Sequence, residues 1–369
     1  MMSPEIPFNR LQLREASLNI LIPMGGSAEA FRAAGYFAPK PMIKIVGRPM
    51  LLHLLDSLQL RLGDVVWLII PAALYEEHAS ELNLQTEYPH LDIRICPFKV
   101  LTRGAVETLY IGLQHMSAAE LSRRTLCLDC DTLYFADVLG MFRAAPAGRG
   151  MCAYFIDTGS AAIYSYLRLA EGSQMVEEVQ EKNAISELAN IGAYGFATGA
   201  ALRTYIQGVL DCPKGIATEY FVSNVINKML SDGYEFVAAR AEGCEQCGTP
   251  DKLEQFMRKV SAGKALTMPK RRFCFALDNV LVTPPQRAGD MSSVLPIVKN
   301  VQLVRELKEA GHHIILTTAR LMQEEGGNVG AVVAKCGPAT LRMLEELEIP
   351  YAEIISPRSH LRIASRRGL

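Results

Sequence analysis

The sequence predicts an α/β protein built as two successive units, a larger one first and a smaller one after it. Three observations predict this. Residues 19–35 read as a short apolar run, a Gly-rich turn and a helix-compatible segment. Apolar strand runs then alternate with helical stretches, the pattern of a largely parallel sheet flanked by helices. A second, shorter round of the same alternation follows the linker-like stretch SAGKALTMPK at 261–270. At 369 residues the chain is also too long for one average domain.

Composition narrows the class. Apolar residues make up 49% and charged residues 21%, with a formal net charge of −1 and the two signs interspersed. That excludes the basic face of a nucleic-acid binder. No run approaches the ~18 apolar residues of a membrane span. The stretch at 1–18 has no signal-peptide core, so a short extension on a cytoplasmic protein is expected. Nine cysteines lie scattered without a disulfide framework. Cys127, Cys130 and Cys274 fall in predicted strands, where a reduced thiol packs as a small hydrophobe. Cys244 and Cys247 form a lone CxxC without the second pair or histidines that a zinc site wants.

Taken in order, Asn19–Pro23 delivers the backbone into Gly25, Gly26 and Ser27. Glycines let backbone approach an anion, and N–H groups at a helix start point at it. Lys40 follows between two prolines that restrict its backbone. A phosphate cradle fits these residues, and so does an ordinary strand-turn-helix corner with a surface lysine. Leucines at helical spacing predict a helix over 51–60, and 65–70 reads as a buried strand ended by Pro71. A helix is expected over 75–84 and a strand over 93–96. Next, TRGAVET at 102–108 is a small-residue turn opening a helix, which can seat a flat nucleobase against backbone or simply start the helix.

The run LCLDCDTL at 126–133 is an apolar strand that ends in Asp129 and Asp131. At spacing i and i+2 both carboxylates would share one strand face. A buried charge there needs a cation, and hard carboxylate oxygens suit magnesium, which completes its shell with phosphate and water. A solvated turn carboxylate is the alternative for either. Strand, turn, strand is expected from 151 to 199. Thr218 is placed to cap a helix that starts there.

Together these motifs resemble the sugar-nucleotidyltransferase family, closest to its capsule-biosynthesis branch. The signature GGxGxR, followed ten residues later by lysine in PKP, aligns with Gly25, Gly26, Ser27, Ala28, Glu29, Ala30 and Lys40. Ala28 stands where the family has its third glycine, and Ala30 where it has its catalytic arginine. Arg32 lies two residues on, which in a helix directs it away from Ala30. The resemblance covers about 19–260 and implies a Rossmann-like, GT-A-like mixed sheet. It further implies nucleobase binding at Gly104 and Ala105, and Mg2+ (or Mn2+) on Asp131, with Asp129 as an accessory or sugar contact. Glu181 would take sugar hydroxyls and Lys182 the acceptor phosphate, beside Asn190 and Gly192. EYF at 219–221 and GTPxxL at 248–253 fit the family's later segments. Gln246 replaces the second metal-binding aspartate that many members carry.

The block at 271–369 resembles the haloacid-dehalogenase phosphatases, again in capsule-biosynthesis form. Their DxDxT motif reads Ala276 and Asp278 here, and a methyl group cannot be a nucleophile. Thr317 or Thr318 keeps the second motif. Arg358 stands for the third motif's lysine, and Ser365-Arg366 for its acidic pair. A strand at 272–282, a helix ended by Gly311, a strand at 312–318, a helix at 339–347 and a strand at 354–355 are expected.

The implied activity transfers a nucleotidyl group from an NTP to a sugar 1-phosphate or similar phosphorylated molecule, releasing pyrophosphate. The second unit is then an inert remnant. The alternative is a catalytically impaired regulatory or assembly subunit that still binds nucleotide. Homo- or hetero-oligomers are a family-level expectation.

Overall fold

The protein is described by a computed structural model covering residues 17–26, 28–211, 219–261, 272–287, 290 and 293–356. Ser27, Thr218, Arg358, Ser365, Arg366, the extension through residue 16 and the linker residues 262–270 lie outside the described residues. The chain forms two compact units, Met1–Leu253 and Glu254–Leu369.

In the first unit, strand β1 (Asn19–Pro23) leads through the Gly25-Gly26 turn into the short helix α1 (Glu29–Ala33). Lys40–Met42 makes one 3-10 turn, and Lys44–Ile45 (β2) and Arg48–Pro49 (β3) form a small ribbon before helix α2 (Met50–Ser57). That helix is shorter than its leucine pattern predicts, because Leu58 turns extended at ψ 134. Strand β4 (Val65–Pro71) runs directly into helix α3 (Ala72–Leu82), which begins earlier than expected because Pro71 presets the entry. Asn83, left-handed at φ 41, ends it. The four-residue helix α4 (Leu84–Glu87) and strand β5 (Asp92–Phe98) follow. After helix α5 (Ala105–Gln114), the one-turn α6 (Ala118–Leu121) leads to strand β6 (Thr125–Leu128).

β1 pairs in parallel with β4 on one side and β6 on the other, and β4 pairs with β5. Every residue of β6 and four of the five in β1 are buried, as expected of strands covered on both faces. Strand order therefore reverses at β1, and the loops after β1 and β6 open side by side at the carboxyl ends. That is where open α/β sheets form their ligand crevice.

The antiparallel half extends the same sheet. Strand β7 (Thr132–Tyr134) and helix α7 (Val138–Ala144) precede strands β8 (Gly150–Ile156), β9 (Ser165–Leu169), β10 (Val176–Glu181) and β11 (Leu188–Phe196). β9 occupies a stretch that the sequence marks only as a turn. β11 pairs antiparallel with β6, β8 and β9, and β10 closes that edge. Helix α8 (Gly199–Asp211) is followed by α9 (Val222–Ser231), whose cap position is Phe221, so the helix starts later than a Thr218 cap would require. Strand β12 (Phe236–Arg240) pairs in parallel with β8, and strand β13 (Cys244–Gln246) pairs antiparallel with β7. Helix α10 spans Pro250–Ser261.

The second unit holds a three-stranded parallel sheet in the order β14 (Arg272–Ala276), β15 (His313–Thr317), β16 (Glu353–Ile355). β14 ends at Ala276 rather than running to Val282, because Leu277–Val282 folds back on itself through Leu281 and Val282 N–H bonds to the Leu277 carbonyl. β15 likewise excludes His312 and Thr318. Helix α11 (Val298–Glu309) buries Val301, Val304 and Leu307, and Gly311 follows it at φ 83. Helix α12 runs Val329–Glu346, ten residues longer at its start than predicted, with Asn328 capping it and Pro338 inside. Cys274 is exposed on β14 and Cys130 lies in a turn, so neither packs inside a strand as expected. No helix among the described residues is long and apolar enough to cross a membrane.

Candidate active site

The crevice predicted by the strand reversal carries most of the sequence-predicted residues. Asp129 and Asp131 fall just beyond β6, in the turn to β7, rather than on one strand face. Each carboxylate rests against a glycine. A Cβ on Gly192 would lie 2.2 Å from Asp129 Oδ2, and one on Gly248 would lie 2.7 Å from Asp131 Oδ2. Gly192 adopts φ 78 inside an irregularity of β11, a conformation glycine takes without strain. Asn190 holds that bulge, its Oδ1 accepting from the Gly192 N–H at 2.7 Å and the Ala193 N–H at 3.3 Å. Fully buried Tyr134 ties the two sides together. Its hydroxyl donates to the Gly192 carbonyl at 2.7 Å and accepts from the Asp129 N–H at 3.1 Å.

Lys40 reaches this turn from the far side of the Gly-rich loop. Its Nζ donates to Asp131 Oδ2 at 3.0 Å. Burial alone would lower the Lys40 pKa, but the Asp131 charge, with Cys130 and Asp129 behind it, raises it overall, so the ammonium is firmly charged. Burial, then the Asp131 charge, raises the Asp129 pKa, with Lys40 opposing and Glu181 reinforcing. Two carboxylates of one turn and a lysine 91 residues from Asp131 thus share a site.

On one side lies the Gly-rich turn. Gly25 sits so close to Thr102 and Thr108 that a Cβ would lie 2.5 and 2.4 Å from their hydroxyls, which are 2.8 Å apart. A cleft of about 460 Å³ opens there, lined by Gly25, Pro71, Phe98 and Thr102 among others. Gly104, at φ 117, is the cap position of α5, and Ala105 is that helix's first residue. A side chain on Gly104 would meet the Tyr220 carbonyl at 2.7 Å. Gly26 is exposed, Ala28 precedes α1, and Ala30 is exposed in its first turn.

On the other side, Glu181 Oε2 accepts from Ser165 Oγ and, at 3.3 Å, from Ser223 Oγ. Lys182, at φ 53, lies exposed with its Nζ 4.8 Å from the Phe221 ring. Asn190 is 3% exposed, and among the described residues its Nδ2 has no hydrogen-bond partner. Sequence reasoning missed Lys252, Tyr134, Tyr164 and the two serines. Lys252 Nζ donates to Gln246 Oε1 at 3.1 Å and lies 4.1 Å from the Tyr164 ring. The only signal for it was its place just past the GTP turn.

The donor set suits one magnesium ion. Asp131 and Asp129 offer hard oxygens, and magnesium asks for one or two protein carboxylates. Near them, Gln246 offers a neutral amide oxygen that already accepts from the Lys252 ammonium.

No protein-family model and no curated protein sequence matches the chain. Solved structures do. A nucleoside-diphosphate-sugar pyrophosphorylase from Vibrio cholerae RC9 superposes with a TM-score of 0.55 at 21% identity, over 65% of this chain and 99% of that one. The chain has the sugar-nucleotide pyrophosphorylase fold. UDP-glucose pyrophosphorylase from Acinetobacter baumannii covers 67% of this chain and 94% of its own, with a TM-score of 0.51 at 14% identity. A Bacillus anthracis protein designated a glucose-1-phosphate thymidylyltransferase, solved with sucrose, covers 69% and 98%, with a TM-score of 0.54 at 12% identity.

Proposed function

We propose that residues 19–260 form a nucleotidyltransferase that joins an NTP to a sugar 1-phosphate or similar phosphorylated acceptor and releases pyrophosphate. The observation that carries this reading is the 3.0 Å Lys40–Asp131 pair, set 91 residues apart in sequence and placed at the strand reversal. The fold of the sugar-nucleotide pyrophosphorylases supports it.

The chemistry is an in-line attack of an acceptor phosphate oxygen on the NTP α-phosphorus. It asks mainly for positioning and charge neutralisation. Gly25 and Gly26 let the triphosphate approach backbone, and Ser27, next in sequence, is the further expected contact. Gly104 and Ala105 seat the base beside the 460 Å³ cleft. Lys40 steadies the phosphates, and Asp131, with Asp129 behind it, would hold a Mg2+ or Mn2+ ion. When bound, that ion supplies charge neutralisation on the phosphates. Glu181, pre-set by two serine hydroxyls, orients sugar hydroxyls, and the unpartnered Nδ2 of Asn190 offers them a donor. Lys182 holds the acceptor phosphate.

The second unit is read as a haloacid-dehalogenase-like domain without phosphatase chemistry. Ala276 ends β14 with no nucleophile, and Asp278 is engaged by Thr318 Oγ1 and Arg320 Nε, each at 2.7 Å. A second reading, a nucleotide-binding regulatory subunit, is favoured by one observation. Ala30 stands exposed where the resembling family has arginine. Losing one preorganised transition-state donor costs on the order of 100- to 1000-fold in rate.

Magnesium-dependent pyrophosphate release, assayed across a panel of NTPs and phosphorylated acceptors, tests both. Turnover by the wild type supports the transferase. Turnover only after Ala30→Arg supports the regulatory subunit, and silence in both sinks the transferase.

A further inference from the structure

The first unit carries a cation whose place in the structure is costly and unexplained by packing. Lys252 is the third residue of α10, which starts at Pro250. The positive end of a helix macrodipole favours anions in that first turn and disfavours a lysine. Its ammonium is part-buried, with the neutral Gln246 amide at 3.1 Å and the Tyr164 ring at 4.1 Å. Among the described residues it makes no ion pair with a carboxylate. Burial lowers its pKa, with Asp131 and Asp157 opposing from farther away. A desolvated ammonium without a counter-charge is destabilising unless an anion completes the site.

The surroundings say which anion. Tyr164, the ring beneath Lys252, accepts the Lys182 N–H on its carbonyl at 2.7 Å. Lys252 therefore stands over the same loop that sets Lys182, on the acceptor side. Gly248, two residues before the helix, packs on Asp131, so α10 opens toward the reacting phosphates. At Gln246, where many members of the resembling family carry a metal-binding aspartate, this chain has an amide that aims a lysine instead.

Resting on the transferase reading for its substrate, we infer that Lys252 is a positioning residue that binds the phosphate of the acceptor, an ammonium in the region where a second carboxylate-held cation would act. With Lys182 and Lys252 both supplying side-chain cations, phosphate binding on this side needs no metal.

The test titrates the full-length protein in EDTA with inorganic phosphate and glucose 1-phosphate, followed by 31P line broadening, and separately with a panel of NTPs. The wild type is expected to bind at least one phosphate probe without metal. Lys252→Met, an unbranched apolar side chain without the charge, should weaken that binding tenfold or more and leave NTP binding within twofold. Lys252→Arg should restore most of it. Lys252→Met should also melt at or above the wild-type temperature, because an unpaired buried charge is gone. Phosphate binding unchanged in Lys252→Met, no metal-free binding by the wild type, or a melting point several degrees lower in Lys252→Met would each overturn the inference. The transferase reading fails separately: if no NTP binds while phosphate binding still depends on Lys252, the anion site stands and the transferase does not.

Discussion

At the scale of single residues, the site depends on two glycines whose missing side chains leave room for carboxylates. Gly192→Ala would place a methyl 2.2 Å from Asp129 Oδ2 on a backbone at φ 78. A substitution where φ is positive destabilises by about 1 kcal/mol or more, and here it also displaces Asp129. We expect a lower melting temperature together with weakened acceptor binding, read by calorimetry and titration on the same sample. Asp129 also sets a pH dependence. Its folded-state pKa is raised by burial and by Asp131. Above the ordinary carboxylate range near ~3.9, the folded protein therefore holds a proton that the unfolded chain has released. Stability falls as pH rises through that window up to the raised value. Urea unfolding of metal-free protein at several pH values should show this decline, and Asp129→Asn should flatten it. Lys40, Asp131 and the Gly25 turn were legible in sequence because each follows a strong local pattern. Lys252 was not, since its place just past the GTP turn says little until its partners are known.

At the scale of elements, the turn between β6 and β7 is tied to β11 by the Asp129 N–H bond to the Gly192 carbonyl at 2.8 Å and by the Tyr134 hydroxyl. Tyr134 is fully buried and bonds both the Gly192 carbonyl and the Asp129 N–H. Tyr134→Phe removes the hydroxyl but leaves the direct 2.8 Å bond from the Asp129 N–H to the Gly192 carbonyl, so the cost is that of a lost hydrogen bond, about 0.5–1.5 kcal/mol. The expected result is a loss of that size in urea unfolding with an intact far-UV spectrum. If Tyr134→Phe unfolds like the wild type, the hydroxyl does not hold the turn. Continuous apolar strands such as β1, β4 and β6 were legible because they are buried on both faces. β9 was missed because YSYLRL mixes polar and apolar residues, and its pairing partners β10 and β11 come later in sequence. The early end of β14 was equally hidden, since Leu277, Leu281 and Val282 are apolar but serve a fold-back rather than a strand.

At the scale of the whole molecule, the α/β class was readable from alternating strands and helices, but that alternation predicts a largely parallel sheet, and the mixed sheet was implied only by the family resemblance. The strand order was not readable, because the reversal at β1 is a matter of long-range pairing. The second unit offers its own test. Ala276→Asp would restore a carboxylate at the end of β14, but Asp278 is already tied to Arg320 and Thr318. No hydrolysis of p-nitrophenyl phosphate is expected from that variant, and measurable turnover would refute the inert reading.

The distribution of thiols has a practical consequence. Cys130 sits between the two site aspartates, and burial with the Asp131 charge holds its thiol well above the ordinary range. Cys127 and Cys152 are likewise buried and raised, whereas Cys274 is exposed on β14. Alkylation depends on thiolate and access. A maleimide fluorophore at neutral pH should therefore mark Cys274 first among these four, giving the second unit an optical reporter ahead of the thiol between the two aspartates.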